Sequence, residues 1–349
     1  MISSKTAGRL CMTCSNSPME LFEWINTRLH PQRCTSDRLI YDDMDSQSGR
    51  SLPVIYQPFD GSQRSHWCDR GSLFDFLCAT RGAGKRLLDF GPGDGWPSLI
   101  VAPFAGEVVG VDASRRRVEV CTENAARLGI TNARFVFVPP GTPLPFDDNS
   151  FDGAMAASSV EQSPDPRTAL RELQRVLKPG GRLRMTYEAL NGYRNGLERD
   201  AWFSRLSGQR CHIILYDRDI EHERVVQYNL VFALSAEALT GQAGGPIELE
   251  RITLPLLEQV RESIIAARVC TTFHPSGKTL GAWLAEMGFR EVIPSHDGSD
   301  FAGRLWDALP EERRPRALEA VDALLQPTVQ AVIGLAAPLA LDPPITAVK

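Results

Sequence analysis

The chain has 349 residues, 43% of them hydrophobic and 23% charged, with a formal net charge of −5. These values exclude a disordered or fibrous chain and leave room for one large α/β domain with an insertion, or for two domains. The acidic balance argues against a broad polyanion binder, so no nucleic-acid partner is expected.

From the N-terminus, Lys5 and Arg9 are followed by no apolar run, so no secretory signal is expected. Residues 19–29 have the pattern of a helix within an N-terminal helical section, residues 1–65. Residues 86–90 read as a short apolar strand running into Gly91-Pro92-Gly93-Asp94-Gly95. Pro97 suits the first turn of the helix that follows. A second strand, residues 107–111, ends at Asp112, and Ser114 caps a helix whose Val118, Cys121, Ala125 and Leu128 recur at helical spacing. Gly129 closes that helix. Residues 134–138 and 152–157 form the third and fourth strands. Asp165-Pro166 opens a helix with Leu170, Leu173 and Leu177 on one face, Pro179-Gly180-Gly181 stops it, and residues 182–187 form the fifth strand. Strands alternating with amphipathic helices predict a mostly parallel sheet flanked by helices, an α/β Rossmann-like fold.

Residues 191–276 interrupt this alternation as an α+β insertion after the fifth strand. Within it residues 212–216 and 225–232 read as strands and 256–269 as a helix. The α/β pattern returns with a helix at 280–287, a strand at 291–294, mostly helix over 310–336 and a final strand at 345–348. The core is therefore expected at residues 66–190 and 277–349, with the insertion as an acceptor-binding lid. The most apolar late stretch, 329–341, is too short to span a bilayer and contains Pro338, so no membrane segment is expected. Eight scattered cysteines are too sparse for a disulfide scaffold and suit a reducing cytoplasm.

A strand feeding a glycine turn that feeds a helix lets a ligand lie directly against the main chain. Asp112, at the end of the next strand, can accept hydrogen bonds from ribose hydroxyls. Together they place a nucleoside at the carboxyl edge of the sheet. A dinucleotide fingerprint would need a small residue at position 96, where this chain has Trp96. An NAD(P)-dependent oxidoreductase of similar topology is the alternative this disfavours. A non-catalytic binding module that keeps the fold is another.

The spacing Gly91-x-Gly93-x-Gly95 instead resembles the first motif of class I S-adenosylmethionine-dependent methyltransferases, of the small-molecule type. Four further segments resemble that family in order. They are Gly110-Val111-Asp112-Ala113-Ser114, Leu144-Pro145-Phe146-Asp147-Asp148-Asn149-Ser150-Phe151-Asp152, Val160-Glu161-Gln162-Ser163-Pro164-Asp165-Pro166 and Leu177-Lys178-Pro179-Gly180-Gly181-Arg182-Leu183. The resemblance implies S-adenosyl-L-methionine as cofactor. Asp89, Phe90, Gly91, Gly93 and Gly95 would line its methionine and ribose part, and Asp112 would hold the ribose, with Ala113 against the adenine. Pro140, Gly141 and Thr142 would border the adenine, and Ala157 and Ser158 the sulfonium. Two positions depart from the family. Pro140 stands where relatives often carry Asp, which leaves adenine to backbone groups or Thr142, and Gln162 stands where they often carry His.

A sulfonium methyl is already activated, so alignment and exclusion of water are the main tasks. A base is needed only for a protonated acceptor. Tyr187 and Glu188, ending the fifth strand, and His66, placed just before the first Rossmann helix, are the candidates, with Tyr187 and His66 taken as catalytic. His212, His222 and His274 read as structural. Ser158-Ser159-Val160-Glu161 occupies the place of the Asn-Pro-Pro-Tyr clamp of amino-methylating DNA enzymes, so a small organic acceptor is expected. Trp24, Tyr41, Tyr56, Trp67, Tyr193, Trp202 and Tyr228 can serve a pocket or the core. Cys11-x₂-Cys14-x₁₅-His30-x₃-Cys34 has zinc-like spacing, but a single CxxC and the His30-Pro31 step count against it, and no metal is expected.

Overall fold

The computed structural model describes residues 18–35, 58–188, 199–206, 209–241, 245–339 and 343–349. The chain divides into two compact units. One comprises Thr35–Leu197, Asp219–Val225 and Thr271–Lys349, and the other Met1–Cys34, Glu198–Arg218 and Val226–Cys270.

The first unit is built on a seven-stranded sheet. Its strands are β1 (Arg86–Phe90), β2 (Glu107–Asp112), β3 (Ala133–Phe137), β4 (Phe151–Ala157), β5 (Leu177–Thr186), β6 (Arg290–Pro294) and β7 (Ile345–Val348). Their spatial order is β6-β7-β5-β4-β1-β2-β3. β1 pairs in parallel with both β2 and β4, so the chain leaves β1 toward one side of the sheet and later returns on the other. That reversal opens a crevice at the carboxyl ends of β1 and β4, where open α/β sheets bind ligands. β7 runs antiparallel between β5 and β6.

The helices are α1 (Arg64–Ala79), α2 (Ser98–Val101), α3 (Arg115–Arg127), α4 (Pro166–Val176), α5 (Gly277–Glu286), α6 (Gly298–Ala308) and α7 (Leu318–Val332). Side chains alternate across a strand, so Leu87 and Leu88 enter different cores. Leu88 packs with Val109, Ala154, Leu183, Leu170, Leu173, Leu280 and Leu284. Leu87 packs with Val108, Met155, Trp67, Phe74, Val321 and Leu325. Both faces are therefore covered, which is why these strands read as apolar runs. Helix starts follow the predicted capping chemistry: Ser114 Oγ accepts the Arg117 N–H at 3.1 Å and Asp165 Oδ1 that of Thr168 at 2.9 Å.

The second unit carries a six-stranded sheet with the order Gln32–Arg33, Ile264–Phe273, Arg224–Phe232, Arg210–Asp219, Arg199–Leu206 and Gly245–Ile247. Its core gathers Leu21, Phe22, Trp24 and Ile25 with Phe203, Ile213, Leu215, Leu230 and Leu257. The N-terminal section expected as a separate piece thus joins the insertion up to Cys34, because Gln32–Arg33 adds an edge strand to Ile264–Phe273 and the preceding helix buries its apolar face there. Trp24 and Tyr228 belong to this core and Trp67 to that of the first unit. Tyr41, Tyr56 and Tyr193 lie outside the described residues.

The helix expected over 256–269 is corrected. A short helix, Leu254–Gln259, is capped by Thr253, and Ile264–Phe273 is a strand. Its β-branched Ile264, Ile265, Val269, Thr271 and Thr272 fit a pleated surface better than a helix. Strand Arg199–Leu206 and helix α6 were not expected. Among the described residues no helix is long and apolar enough to cross a membrane.

Candidate functional site

The turn after β1 is held by main-chain bonds. The Gly91 N–H donates to Val111 O at 2.8 Å, and those of Gly95 and Trp96 donate to Pro92 O at 2.8 and 3.0 Å. All three glycines take the left-handed region, with φ of 74° at Gly91, 60° at Gly93 and 117° at Gly95. Their reasons differ. A Cβ on Gly91 would fall 2.5 Å from Ser159 Cβ, and one on Gly95 would fall 2.4 Å from Leu99 Cδ1, so both are packing positions. A Cβ on Gly93 would meet no heavy atom within 4 Å. Gly93 therefore presents bare backbone to open space at the crevice.

Asp112 closes this cradle. Its Oδ2 accepts the Gly93 N–H at 3.3 Å and its Oδ1 that of Ser114 at 2.8 Å. Burial pushes its carboxyl up to about 6, against the pull of those backbone donors. Asp89 is fully buried, and burial pushes it up to about 7. Its Oδ2 takes both the backbone N–H and the hydroxyl of Ser98, at 3.0 and 2.7 Å, and so anchors the start of α2. Its Oδ1 is buried with no hydrogen-bond partner among the described residues. An orphaned carboxylate oxygen beside a glycine cradle is the environment that a polar, cationic ligand group would complete.

Around this centre, Phe90 lends its carbonyl to the Ser159 hydroxyl. Ala157 pairs with Thr186, and Ser158, at φ 49°, donates its N–H to Thr186 O at 3.1 Å. Beyond β3, Gly141 (φ 71°) and Thr142 are exposed and Pro140 is half-buried. The Thr142 hydroxyl donates to Pro139 O at 2.7 Å. Ala113, half-buried, lies between Asp112 and the α3 cap. These residues sit at the carboxyl ends of β1 to β4, the edge the sequence pointed to.

The two expected catalytic residues stand differently. His66 lies in the first turn of α1 rather than before it, buried, with its ring centroid 5.7 Å from that of Phe59. Its Nδ1 accepts the Asp60 backbone N–H at 2.9 Å. A neutral imidazole so engaged carries its proton on Nε2 and has no free lone pair with which to abstract another. Tyr187 is buried just past the end of β5, and a Cβ on Gly277 would fall 2.0 Å from its hydroxyl oxygen. The glycine that opens α5 makes room for the tyrosine.

Sequence reasoning passed over Glu161, quoted only as part of the loop after β4. It is 2% exposed; its Oε1 accepts the Glu188 N–H at 2.9 Å and its Oε2 has no partner among the described residues. The available signal was a carboxylate directly after an apolar residue, Val160, in the loop that follows β4. Of the zinc-like set, Cys11 and Cys14 lie outside the described residues, and the Cys34 N–H donates to Val269 O at 2.9 Å.

Residues 88–185 match the family model of a methyltransferase domain. Over 102 residues the chain is 41% identical to the uncharacterized methyltransferase YcgJ of Bacillus subtilis, spanning 29% of this chain and 39% of that protein. It is 41% identical over 101 residues to the demethylmenaquinone methyltransferase of Clavibacter sepedonicus, covering 29% and 40%. With the 27-O-demethylrifamycin SV methyltransferase of Amycolatopsis mediterranei it shares 35% over 120 residues, covering 34% and 44%. The chain thus spans less than half the length of the curated relatives it matches. The matched stretch runs from β1 to β5 and contains the cradle, Asp112 and Glu161. Over residues 88–185 the chain is thus similar to methyltransferase domains.

Proposed function

We propose that the chain transfers the methyl group of S-adenosylmethionine to a small organic acceptor. The observation that carries this reading is the bare, left-handed backbone of Gly93 beside Asp112, inside the segment that matches the methyltransferase domain. The Asp112 carboxylate would hold the ribose hydroxyls, with Ala113 against the adenine and Pro140, Gly141 and Thr142 along its border. The orphaned Asp89 Oδ1 would face the methionine end, lined by Phe90 and Gly91 to Gly95, and Ala157 and Ser158 would border the sulfonium. When bound, the cofactor supplies an already activated methyl. The protein's part is to fix the donor, bring the acceptor in line and keep water out.

A small acceptor is supported by the names of the relatives, which refer to demethylmenaquinone and 27-O-demethylrifamycin SV. We assign acceptor recognition to the unit carrying the six-stranded sheet. A cytoplasmic setting is supported by free cysteines at positions 34, 68, 78, 121, 211 and 270.

The test is calorimetry with S-adenosylhomocysteine, followed by incubation with labelled-methyl cofactor and a metabolite extract. Binding and a labelled small product are expected. Absence of binding to folded protein, or stoichiometric labelling of RNA or protein in place of a metabolite, would overturn the reading.

A further inference from the structure

The glycine turn after β1 is held from behind by α3 as well as by its own main chain. Cys121 and Asn124 lie one turn apart on that helix, on the same face, and both are buried. The Cys121 thiol donates to Gly93 O at 3.2 Å and the Asn124 side-chain amide to Asp94 O at 2.8 Å. Arg127 Nη2 donates to Asn124 Oδ1 at 3.2 Å, so the amide nitrogen is the end that meets Asp94 O. Gly95 O accepts the Leu99 N–H, and Pro92 O those of Gly95 and Trp96. Every carbonyl from Pro92 to Gly95 thus has a donor.

Peptide geometry turns this grip into a constraint on an N–H. The Gly93–Asp94 peptide is trans, so its N–H points opposite to its C=O. Gly93 O is drawn toward α3, and the Asp94 N–H is therefore turned away from that helix. It follows directly on Gly93, where a Cβ would meet only open space and whose own N–H is taken by Asp112 at 3.3 Å. A turn with its carbonyls occupied and an N–H turned away from its support favours a negatively charged ligand group. Packing alone does not call for Asn124: a buried amide costs free energy unless it is bonded, and the bond it makes is to this turn.

We infer that Cys121 and Asn124 are positioning residues for the amino-acid end of the cofactor: they fix the Gly93–Asp94 peptide so that the Asp94 N–H donates to the methionine carboxylate. The inference rests on the methyl-transfer reading above. Neither side chain touches the ligand; each acts through the carbonyl it holds. Without them the peptide is free to rotate, and a carbonyl oxygen turned toward the carboxylate would repel it. The Asp94 side chain, half-buried, suits the ammonium that the same end of the cofactor carries.

The test compares S-adenosylhomocysteine with 5′-methylthioadenosine, which has the same adenosine and sulfur but no amino-acid end. Asn124→Asp keeps the side-chain shape and the Arg127 bond and removes the donor. By calorimetry it is expected to weaken S-adenosylhomocysteine about tenfold and 5′-methylthioadenosine less than about twofold. Cys121→Ala should cost about threefold on the first ligand only, and Cys121→Ser, which keeps a donor, should restore most of it. Gly93-Asp94 is the only Gly-Asp step in the sequence, so labelling glycine carbonyl carbon and aspartate nitrogen together gives a single magnetic resonance signal for this peptide. In wild type its amide proton should move downfield with S-adenosylhomocysteine and stay in place with 5′-methylthioadenosine, a readout that depends on no variant folding. Undiminished affinity of Asn124→Asp for S-adenosylhomocysteine, equal losses on the two ligands, or the same shift with both would overturn the inference, as would a Cys121→Ser protein no better than Cys121→Ala. Wild type that binds the two ligands equally well overturns this inference alone and leaves the methyl-transfer reading standing. Wild type that binds neither overturns both.

Discussion

Asp112 and Gly93, 19 residues apart in sequence, meet at 3.3 Å across the mouth of the sheet, carboxylate oxygen to backbone N–H. The contact joins the glycine turn after β1 to the end of β2 and fixes where a ribose can lie. A charged acceptor in such a site contributes about 1.5–3 kcal/mol to a bound hydroxyl, and every 1.4 kcal/mol is tenfold in affinity. Asp112→Ala should therefore weaken S-adenosylhomocysteine binding by about 10- to 100-fold. It should also lower the unfolding free energy by about 1–2 kcal/mol, because the Ser114 N–H loses its acceptor. Calorimetry on variant protein shown by circular dichroism to be folded checks this. Undiminished affinity would remove Asp112 from the site.

Gly93 and Gly95 should fail differently when each becomes alanine. At Gly93 the new methyl meets no protein atom, so the cost is the left-handed backbone alone, about 1–2 kcal/mol. The methyl would project into the space assigned to the cofactor, so binding should fall more than about tenfold while the protein stays folded. At Gly95 the methyl would overlap Leu99 at a φ of 117°, and about 2–5 kcal/mol of stability should go. Thermal unfolding with and without S-adenosylhomocysteine separates the two. A Gly93→Ala protein that binds normally would show that the open space serves no ligand.

The core of this architecture was legible because its signals are local. Ser114, Asp165 and Pro166 announce helix starts by capping chemistry. Leu87-Leu88 and Val108-Val109 announce strands buried on both faces. The final strand at 345–348 was found from four residues. The insertion was less legible because its order depends on pairing. The run 256–269 looks helical by content, yet Ile264–Phe273 is drawn into a sheet by neighbours far off in sequence, Gln32–Arg33 among them. At the site, the glycines and Asp112 were visible because a motif demands them. Glu161 was not, because burial and a missing partner on one oxygen are properties of three-dimensional surroundings. The surroundings of His66 were not legible for the same reason: nothing in Ser65-His66-Trp67 shows that Asp60 will occupy its Nδ1.

Asp89 ties stability to pH. Its folded-state value, about 7, lies above the ordinary aspartate value of 3.8. The folded protein therefore holds a proton that the unfolded chain releases between about pH 4 and pH 7. Stability from this group is fully present below the lower value and is lost as pH rises through the upper one, with a slope of at most about 1.4 kcal/mol per pH unit. Asp89→Asn can still accept both Ser98 bonds through its amide oxygen and does not ionise. The variant should show a shallower fall in urea midpoint between pH 4 and 7 than wild type, and its advantage should be greatest above pH 7. Parallel pH profiles for the two proteins would show that the Asp89 proton is not linked to folding.

Arg184 and Asp75 form a buried bidentate pair, with Nε to Oδ1 at 2.6 Å and Nη2 to Oδ2 at 2.7 Å. Arg184 also donates to the Ser295 and Thr346 hydroxyls and to the His296 carbonyl, and Asp75 accepts the Gly298 N–H at 2.8 Å. The pair thus ties α1 and β5 to β7 and to the start of α6. Asp75→Ala leaves a buried guanidinium without its counter-ion and should cost about 3–5 kcal/mol. Replacing a simple buried pair by apolar residues of similar volume is often neutral. Here the double variant Asp75→Leu with Arg184→Met would strand two hydroxyls, a carbonyl and an N–H. It should therefore recover only part of the single variant's loss and remain less stable than wild type. Urea unfolding of the three proteins decides. A double variant as stable as wild type would mean that the surrounding polar groups find other partners and that the ion pair does not organise this junction.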